Sequence, residues 1–116
     1  MIVKEIVELL DGEVLIGESY LDLRVKAAFG SDLMSDVLAF AETEAVLLTG
    51  LINNQVIRTA EMLDLRAIVF VRGKIPGKEV ISLAEENRIV LISTDKTLYT
   101  TAGILYAHGL RGIADE

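Results

Sequence analysis

Cysteine is absent from this sequence, and histidine occurs once, as His108. The first absence excludes disulfides, thiolate zinc sites and cysteine nucleophiles, so a cytoplasmic protein is the simplest interpretation. A single histidine cannot form a multi-histidine metal site, and it leaves no readable Ser-His-Asp triad. His108 precedes Gly109 near a predicted helix end, where a histidine favours the helix dipole. We therefore expect no catalytic role for it, and no bound metal or cofactor.

Long apolar runs and an excess of positive charge are also missing. No stretch approaches the roughly 18 apolar residues that span a bilayer, and residues 1–5 lack the order of a signal peptide. Eighteen acids against eleven bases give a net charge of −7, which disfavours phosphate backbones and anionic membranes as partners. The sequence therefore predicts neither nucleic-acid nor membrane binding.

The apolar content is high for a chain of 116 residues that is expected to form a single domain over residues 1–116. Hydrophobic residues make up 52% of the chain and the mean hydropathy is +0.47, against roughly 45–50% apolar content in soluble domains. Because homodimer interfaces are richer in apolar area than ordinary surface, self-association is the simplest way to bury the surplus. We therefore expect a homodimer.

The known phosphate-binding and nucleophile motifs are missing as well. The chain has no G-x-x-x-x-G-K-[ST], no G-x-G-x-x-G and no G-x-S-x-G, which are the loops of P-loop proteins, dinucleotide-binding proteins and α/β-hydrolases. A phospho-accepting receiver domain would need an aspartate at the end of its third strand, where this chain has Thr49-Gly50. The sequence thus predicts a protein that is not an enzyme.

What is present is a regular alternation of apolar strands and amphipathic helices. Residues 2–10 repeat apolar side chains at helical spacing, and short apolar runs follow at 13–17, 25–29, 45–50, 67–71 and 89–92. Helical patterns separate most of these runs, with Ser31 or Asp32, Asn53, and Ser93-Thr94-Asp95 as expected N-caps. This alternation predicts an α/β fold, a three-layer α/β/α sandwich with a mainly parallel sheet.

Composition and periodicity do not explain the succession of residue types in residues 22–36, DLRVKAAFGSDLMSD. An acidic residue and an arginine precede a short strand, small residues follow, and Ser-Asp-x-x-Ser-Asp opens a helix. In this order the segment resembles the one that names the DRTGG domain. The matching positions are Asp22, Arg24, Ser31, Asp32, Ser35 and Asp36.

The segment also departs from the DRTGG pattern. The arginine stands one position late, and Lys26-Ala27-Ala28 replace Thr-Gly-Gly. Glycine allows positive φ or close approach of a ligand to the main chain, and alanine does neither as readily. Either a ligand-receiving loop has been lost, or the segment is a closely packed strand in which alanine serves nearly as well. We favour the packing interpretation.

The second half of the chain extends the resemblance. Its order of strand, glycine-containing loop, proline, helix, strand, Ser-Thr and helix is similar to DRTGG domains, to the N-terminal domain of HPr kinases and to the middle domain of phosphate acetyltransferases. In these families the domain accompanies catalytic or nucleotide-sensing partners. No reaction is attributed to the domain itself. The resemblance implies a non-enzymatic regulatory or assembly module, with an enzyme or kinase-like protein as a possible partner.

Three loops at the expected carboxyl ends of the strands form the candidate ligand site. Ligands of parallel α/β sheets collect at this edge, where helix N-termini can hold an anion. The alternative function is therefore a sensor of a nucleotide or phosphorylated metabolite; the competing interpretation is that these residues are ordinary caps and solvated charges. The candidate residues are Thr49, Gly50, Asn53, Asn54, Arg72, Lys74, Ser93, Thr94 and Lys96.

Two further chemistries are disfavoured. Asp32 and Asp36, four positions apart, could join Glu42 or Glu44 around a divalent cation, but a cap plus a solvated face explains this spacing better. Enzymatic activity would have to depend on Ser93, Asp95, Asp32 or Lys96, and no catalytic constellation is readable among them.

Overall fold

The structure is a computed structural model that describes residues 1–113. Residues 114–116, the end of the predicted domain, lie outside the described residues. Five helices are α1 Val3–Leu9, α2 Met34–Phe40, α3 Asn54–Met62, α4 Lys78–Glu86 and α5 Leu98–Ala107. Six strands are β1 Glu13–Ile16, β2 Ala27–Gly30, β3 Ala45–Thr49, β4 Ala67–Phe70, β5 Val90–Ser93 and β6 Arg111–Gly112. A short 3₁₀ helix covers Glu18–Tyr20.

All six strands form one sheet in the order β1-β5-β4-β3-β2-β6. Strands β2 to β6 run parallel to their neighbours, and β1 pairs antiparallel with β5. The successive crossovers from β2 to β5 place α2, α3 and α4 on one face, while the return from β5 to β6 places α5 on the other face with α1. The structure confirms the predicted three-layer sandwich with a mainly parallel sheet.

The three central strands are buried on both faces. Every residue of β3, β4 and β5 is buried, and alternate side chains contribute to opposite cores. In β3, for example, Leu47 packs towards α2, α3 and α4, whereas Val46 and Leu48 pack towards α1 and α5. Continuous apolar runs are expected of parallel strands covered by helices. These strands account for much of the high apolar content.

The segment before β2 pairs with the start of the chain. Val3 donates its N–H to the carbonyl of Leu23 at 2.9 Å, and Val25 donates to the carbonyl of Met1 at 2.8 Å. Ile2 and Arg24 form an isolated antiparallel bridge. The strand predicted at 25–29 therefore begins two residues later, because residues 21–25 are engaged by the N-terminus.

Two of the predicted N-caps are wrong. Helix α2 begins at Met34, with Leu33 at the cap position, and the hydroxyl of Ser31 accepts the N–H of Leu33 at 3.0 Å in a local turn. Helix α5 is capped by Thr97, which accepts the N–H of Thr100 at 3.4 Å.

Asn53 does occupy the cap position of α3, as predicted, although its side chain makes no capping hydrogen bond. The residues expected to cap α5, Ser93-Thr94-Asp95, lie upstream of that helix. The hydroxyls of Ser93 and Thr94 form hydrogen bonds elsewhere, as described below. Among residues 1–113, no helix has the length and apolar character needed to cross a membrane.

Candidate functional site

The loops that follow β2, β3, β4 and β5 meet at the carboxyl edge of the sheet and are tied to one another. Ser31 donates its N–H to the carbonyl of Leu48 at 3.0 Å, and Gly73 donates to that of Thr94 at 2.8 Å. Each bond continues the pairing of a parallel strand into its loop. The edge is therefore a connected surface, as the topology predicts.

Asp32 stands at the centre of this edge. Its Oδ1 accepts the hydroxyl of Thr49 at 2.9 Å and the N–H of Gly50 at 2.7 Å. The Gly50 hydrogen bond lowers the pKa of Asp32 below the ordinary 3.8, aided by Thr49 and by the positive charges of Arg72 and Lys74, while partial burial opposes the shift. The carboxylate is thus held ionised and fixes the β3–α3 loop.

Arg72 reaches across the same loop. Its guanidinium lies over Gly50, where an added Cβ would meet Cζ of Arg72 at 3.0 Å. Its backbone is left-handed, with φ of 58°, and its N–H donates to the carbonyl of Lys96 at 2.8 Å. Arg72 therefore links the loops after β3, β4 and β5, with its charge near Asp32.

The hydroxyls at the end of β5 are engaged within the protein. Ser93 donates to the carbonyl of Lys74 at 2.9 Å, and the buried Thr94 donates to the carbonyl of Leu10 at 2.8 Å. Both side chains hold the loops of this edge in place, which is why neither caps α5. As nucleophiles or ligand donors they would first have to give up these bonds.

The candidate residues therefore divide into groups. Thr49, Gly50 and Arg72 gather around Asp32, and Lys74, Ser93, Thr94 and Lys96 form the adjoining tied loops. Asn53 and Asn54 are exposed at the start of α3, and Asn54 lines a shallow groove between α3 and α4. From the sequence, Asp32 was considered as a motif position, a helix cap, a cation ligand and a catalytic residue. Its role as the acceptor that joins the loop after β2 to the end of β3 was missed.

The positions of the DRTGG motif do not form one site. Asp22 and Arg24 precede β2, whereas Ser31 and Asp32 follow it, so the strand separates them across the sheet. Ser35 and Asp36 are exposed in the first turn of α2.

The disfavoured cation site is not assembled either. Glu44 precedes β3 at the edge opposite to Asp32 and pairs with Lys26 at 3.0 Å. Within residues 1–113 no group of three or more histidine, aspartate or glutamate side chains is arranged to hold a metal ion.

The α/β/α architecture agrees with the class of protein that the sequence resemblance indicated. Residues 5–107 match the DRTGG domain family, and the chain belongs to that family. The predicted family is therefore confirmed. No curated protein matches the sequence of this chain.

A comparison with solved structures shows the fold in a known regulatory protein. One match is the crystal structure of the CBS and DRTGG domains of the regulatory region of Clostridium perfringens pyrophosphatase, complexed with its activator, diadenosine tetraphosphate. The TM-score is 0.71 at 18% sequence identity, and the match covers 89% of this chain and 45% of that chain. This chain thus spans less than half the length of the regulatory region it resembles, and the likeness shows the fold.

Proposed function

We propose that this protein is a non-enzymatic regulatory module that acts by self-association as a homodimer. Its family membership supports a regulatory role, since a DRTGG domain forms part of the regulatory region of the pyrophosphatase. The hydroxyls at the carboxyl edge serve to hold loops together, which favours a structural role for them over a chemical one. A partner enzyme in the cytoplasm would receive the regulatory signal.

The observation that carries this proposal is an apolar surface on the α2–α3 side of the sandwich. Phe40 ends α2 and is 61% exposed, and Met62 ends α3 and is 73% exposed. These helices pack side by side and both run back towards the amino ends of the parallel strands, so their last residues lie at the same edge. Leu38 adds further exposed apolar area on α2, and Leu33 is exposed at the N-cap, at the other end of that helix. Apolar residues grouped in this way are typical of association surfaces.

Sedimentation velocity tests the proposal directly. The protein should sediment as a dimer at micromolar concentration, and Phe40→Lys or Met62→Lys should shift it to monomer without loss of folded structure. Tyr99→Lys is the matched control, because Tyr99 is 90% exposed on α5, on the opposite face of the sheet. A clean monomer for the unmodified chain, or dissociation caused equally by Tyr99→Lys, would rule the dimer out.

A second candidate function is the sensing of a nucleotide or phosphorylated metabolite at the carboxyl edge. The specific observation in its favour is that the guanidinium of Arg72 lies over Gly50, and that the positive charges of Arg72 and Lys74 both help to lower the pKa of Asp32. Guanidinium groups are suited to phosphate recognition. A regulatory module of this kind would pass the binding signal to its partner.

A thermal-shift assay with AMP, acetyl phosphate and diadenosine tetraphosphate separates the two candidates. A ligand present at about 100 times its Kd stabilises the folded state by roughly 2.7 kcal/mol. Stabilisation that is lost in Arg72→Gln and kept in Arg58→Gln, a change on the exposed face of α3, supports the sensor. No stabilisation by any of the three compounds argues against it.

A further inference from the structure

A cavity of about 310 Å³ opens at the amino edge of the sheet, on the side opposite to Asp32. It lies where β3 and β4 begin, beside the segment that pairs with the N-terminus. Its volume falls at the lower end of the roughly 300–1,000 Å³ of small-molecule sites. It is distinct from the carboxyl-edge loops, so ligand binding in this cavity and ligand binding at those loops can be tested separately.

The floor of this cavity is apolar and well fixed. Val3, Val25, Ala45 and Ala67 line it, and all four are almost completely buried. The two alanines are the first residues of adjacent central strands, whose other positions are mostly filled by larger apolar side chains. Ala67 belongs to the same core as Val3 and Val25, whereas the side chain of Ala45 belongs to the core on the other face of the sheet. The small side chain of Ala67 therefore leaves space beside the two valines. An apolar group entering it would be removed from water on several sides.

Two arginines from distant parts of the chain line the same cavity. Arg24 is held at its backbone by the bridge to Ile2, and the carbonyl of Arg66 accepts the N–H of Val90 at 2.8 Å. Nε of Arg66 donates a hydrogen bond to the carbonyl of Arg88 at 3.4 Å, which leaves its terminal nitrogens for a ligand. Neither guanidinium forms an ion pair with any residue in the described range 1–113. Arginine presents a planar set of donors that matches a carboxylate in bidentate fashion.

The remaining charges of the lining limit the charge of a ligand. Glu44 is paired with Lys26 at 3.0 Å, whereas the carboxylate of Asp64 has no hydrogen-bond or ion-pair partner within residues 1–113. Asp64 and the net charge of −7 both oppose a polyanion. Two guanidiniums beside one free carboxylate leave an excess of one positive charge, which suits a single negative charge on the ligand.

We propose that this cavity, lined by Arg24 and Arg66 over the floor of Val3, Val25 and Ala67, binds a small organic monoanion, a carboxylate attached to a compact apolar body. The carboxylate lies between the guanidiniums, and the apolar body lies against Val3, Val25 and Ala67. Arg24, near the start of the DRTGG motif, thereby has a role in ligand recognition. This role is separate from that of Ser31 and Asp32, which lie in the loop after β2.

The test is an amide NMR titration of the full chain with 4-methylpentanoate. This probe should shift the amides of Val25, Ala45 and Ala67 with a Kd below about 10 mM. Acetate, which lacks the apolar body, and 4-methylpentan-1-ol, which lacks the charge, should each bind at least about tenfold more weakly. Arg24→Gln and Arg66→Gln should also weaken binding of 4-methylpentanoate by about tenfold each.

Arg58→Gln is the matched control, since it removes an exposed arginine from the groove between α3 and α4, and it should leave the Kd unchanged. Because Arg24 is exposed and Arg66 is only partly buried, both variants are expected to fold, and their unperturbed spectra verify this. The proposal is overturned if 4-methylpentanoate causes no shifts up to about 10 mM, if the alcohol binds equally well, or if neither arginine variant changes the Kd. Stronger binding of diadenosine tetraphosphate at these amides would also overturn it.

Discussion

The guanidinium of Arg72 occupies the space that a side chain at Gly50 would need. A Cβ on residue 50 would come within 3.0 Å of Cζ of Arg72, closer than non-bonded carbon atoms normally approach. The absent side chain of Gly50 thus lets the charge of Arg72 remain over the β3–α3 loop, near Asp32. The size of residue 50 is therefore coupled to the position of the Arg72 guanidinium. A double-mutant cycle can measure the coupling free energy between the two residues.

Gly50→Ala alone should change the free energy of unfolding by less than about 1 kcal/mol, because Arg72 is exposed and its flexible end can move into solvent. In an Arg72→Ala background, Gly50→Ala should stabilise by roughly 0.5 kcal/mol, since alanine restricts the unfolded chain and no longer meets the guanidinium. Urea unfolding of the four proteins gives the coupling. Strictly additive effects would show that the two residues do not compete for this space.

Asp32→Asn should destabilise the protein by about 1 kcal/mol at pH 7, since a charge-assisted acceptor for Thr49 and Gly50 is lost from a partly exposed site. The Gly50 hydrogen bond lowers the pKa of Asp32 in the folded state, with help from Thr49, Arg72 and Lys74. The ionised group therefore contributes its full stability above the ordinary pKa of 3.8, and this contribution is lost as the pH falls through the lower, folded-state pKa.

Chemical denaturation between pH 2 and pH 7 checks this dependence. The difference between Asp32→Asn and the unmodified protein should be constant at neutral pH and shrink below pH 3.8. Asp22→Asn is the control, because Asp22 is exposed at the opposite edge and its replacement should have little effect at any pH. A destabilisation of Asp32→Asn that persists unchanged at the lowest pH would contradict the charge-based explanation.

Much of the fold could be predicted because the strongest sequence signals came from burial on both sides of a sheet. The runs that became β3, β4 and β5 are apolar at nearly every position, and in the structure each residue is buried. The two-residue β6 gave no such signal, since Arg111–Gly112 has neither length nor apolar periodicity. Its place is set by the return of α5 across the sheet.

The details of the carboxyl edge were less predictable because long-range contacts decide them. Thr94 has the residue type of a local cap, yet its hydroxyl is bound by the carbonyl of Leu10, 84 positions away. The amino-edge cavity likewise joins Arg24 to Arg66, and no spacing in the sequence connects these two residues. Sites formed by residues from distant segments can be recognised only when the strand order is known.

Thr101→Val should stabilise the protein by about 1 kcal/mol. Thr101 is completely buried in α5, and its hydroxyl has no hydrogen-bond partner among the described residues. Valine has nearly the same shape and removes the cost of a buried, unsatisfied polar group. Thermal unfolding should show a higher Tm for Thr101→Val. Thr100→Val is the control, because it removes an exposed hydroxyl that is hydrogen-bonded to Thr97, and it should not raise the Tm. A lower Tm for Thr101→Val would show that the hydroxyl stabilises the folded state and would contradict this explanation.

Ala27→Gly and Ala28→Gly test whether the altered DRTGG segment is a packing strand. Ala27 pairs with Ala45 and Arg111, and Ala28 pairs with Val46 and Gly112, so β2 lies between two neighbours. The two side chains pack against opposite cores of the sandwich. Each substitution removes a packed methyl group and raises the conformational entropy of the unfolded chain. It should therefore lower the free energy of unfolding by roughly 0.5–1 kcal/mol.

Urea unfolding should show a lower midpoint for both variants with an unchanged m-value, because the surface exposed on unfolding stays the same. Thermal shifts with AMP, acetyl phosphate and 4-methylpentanoate should be no larger than for the unmodified chain. A new stabilisation by AMP or acetyl phosphate would instead show that Gly-Gly restores a ligand-receiving loop. Because the backbone of β2 already pairs on both sides, a ligand could approach only its ends, and loss of stability is the outcome we expect.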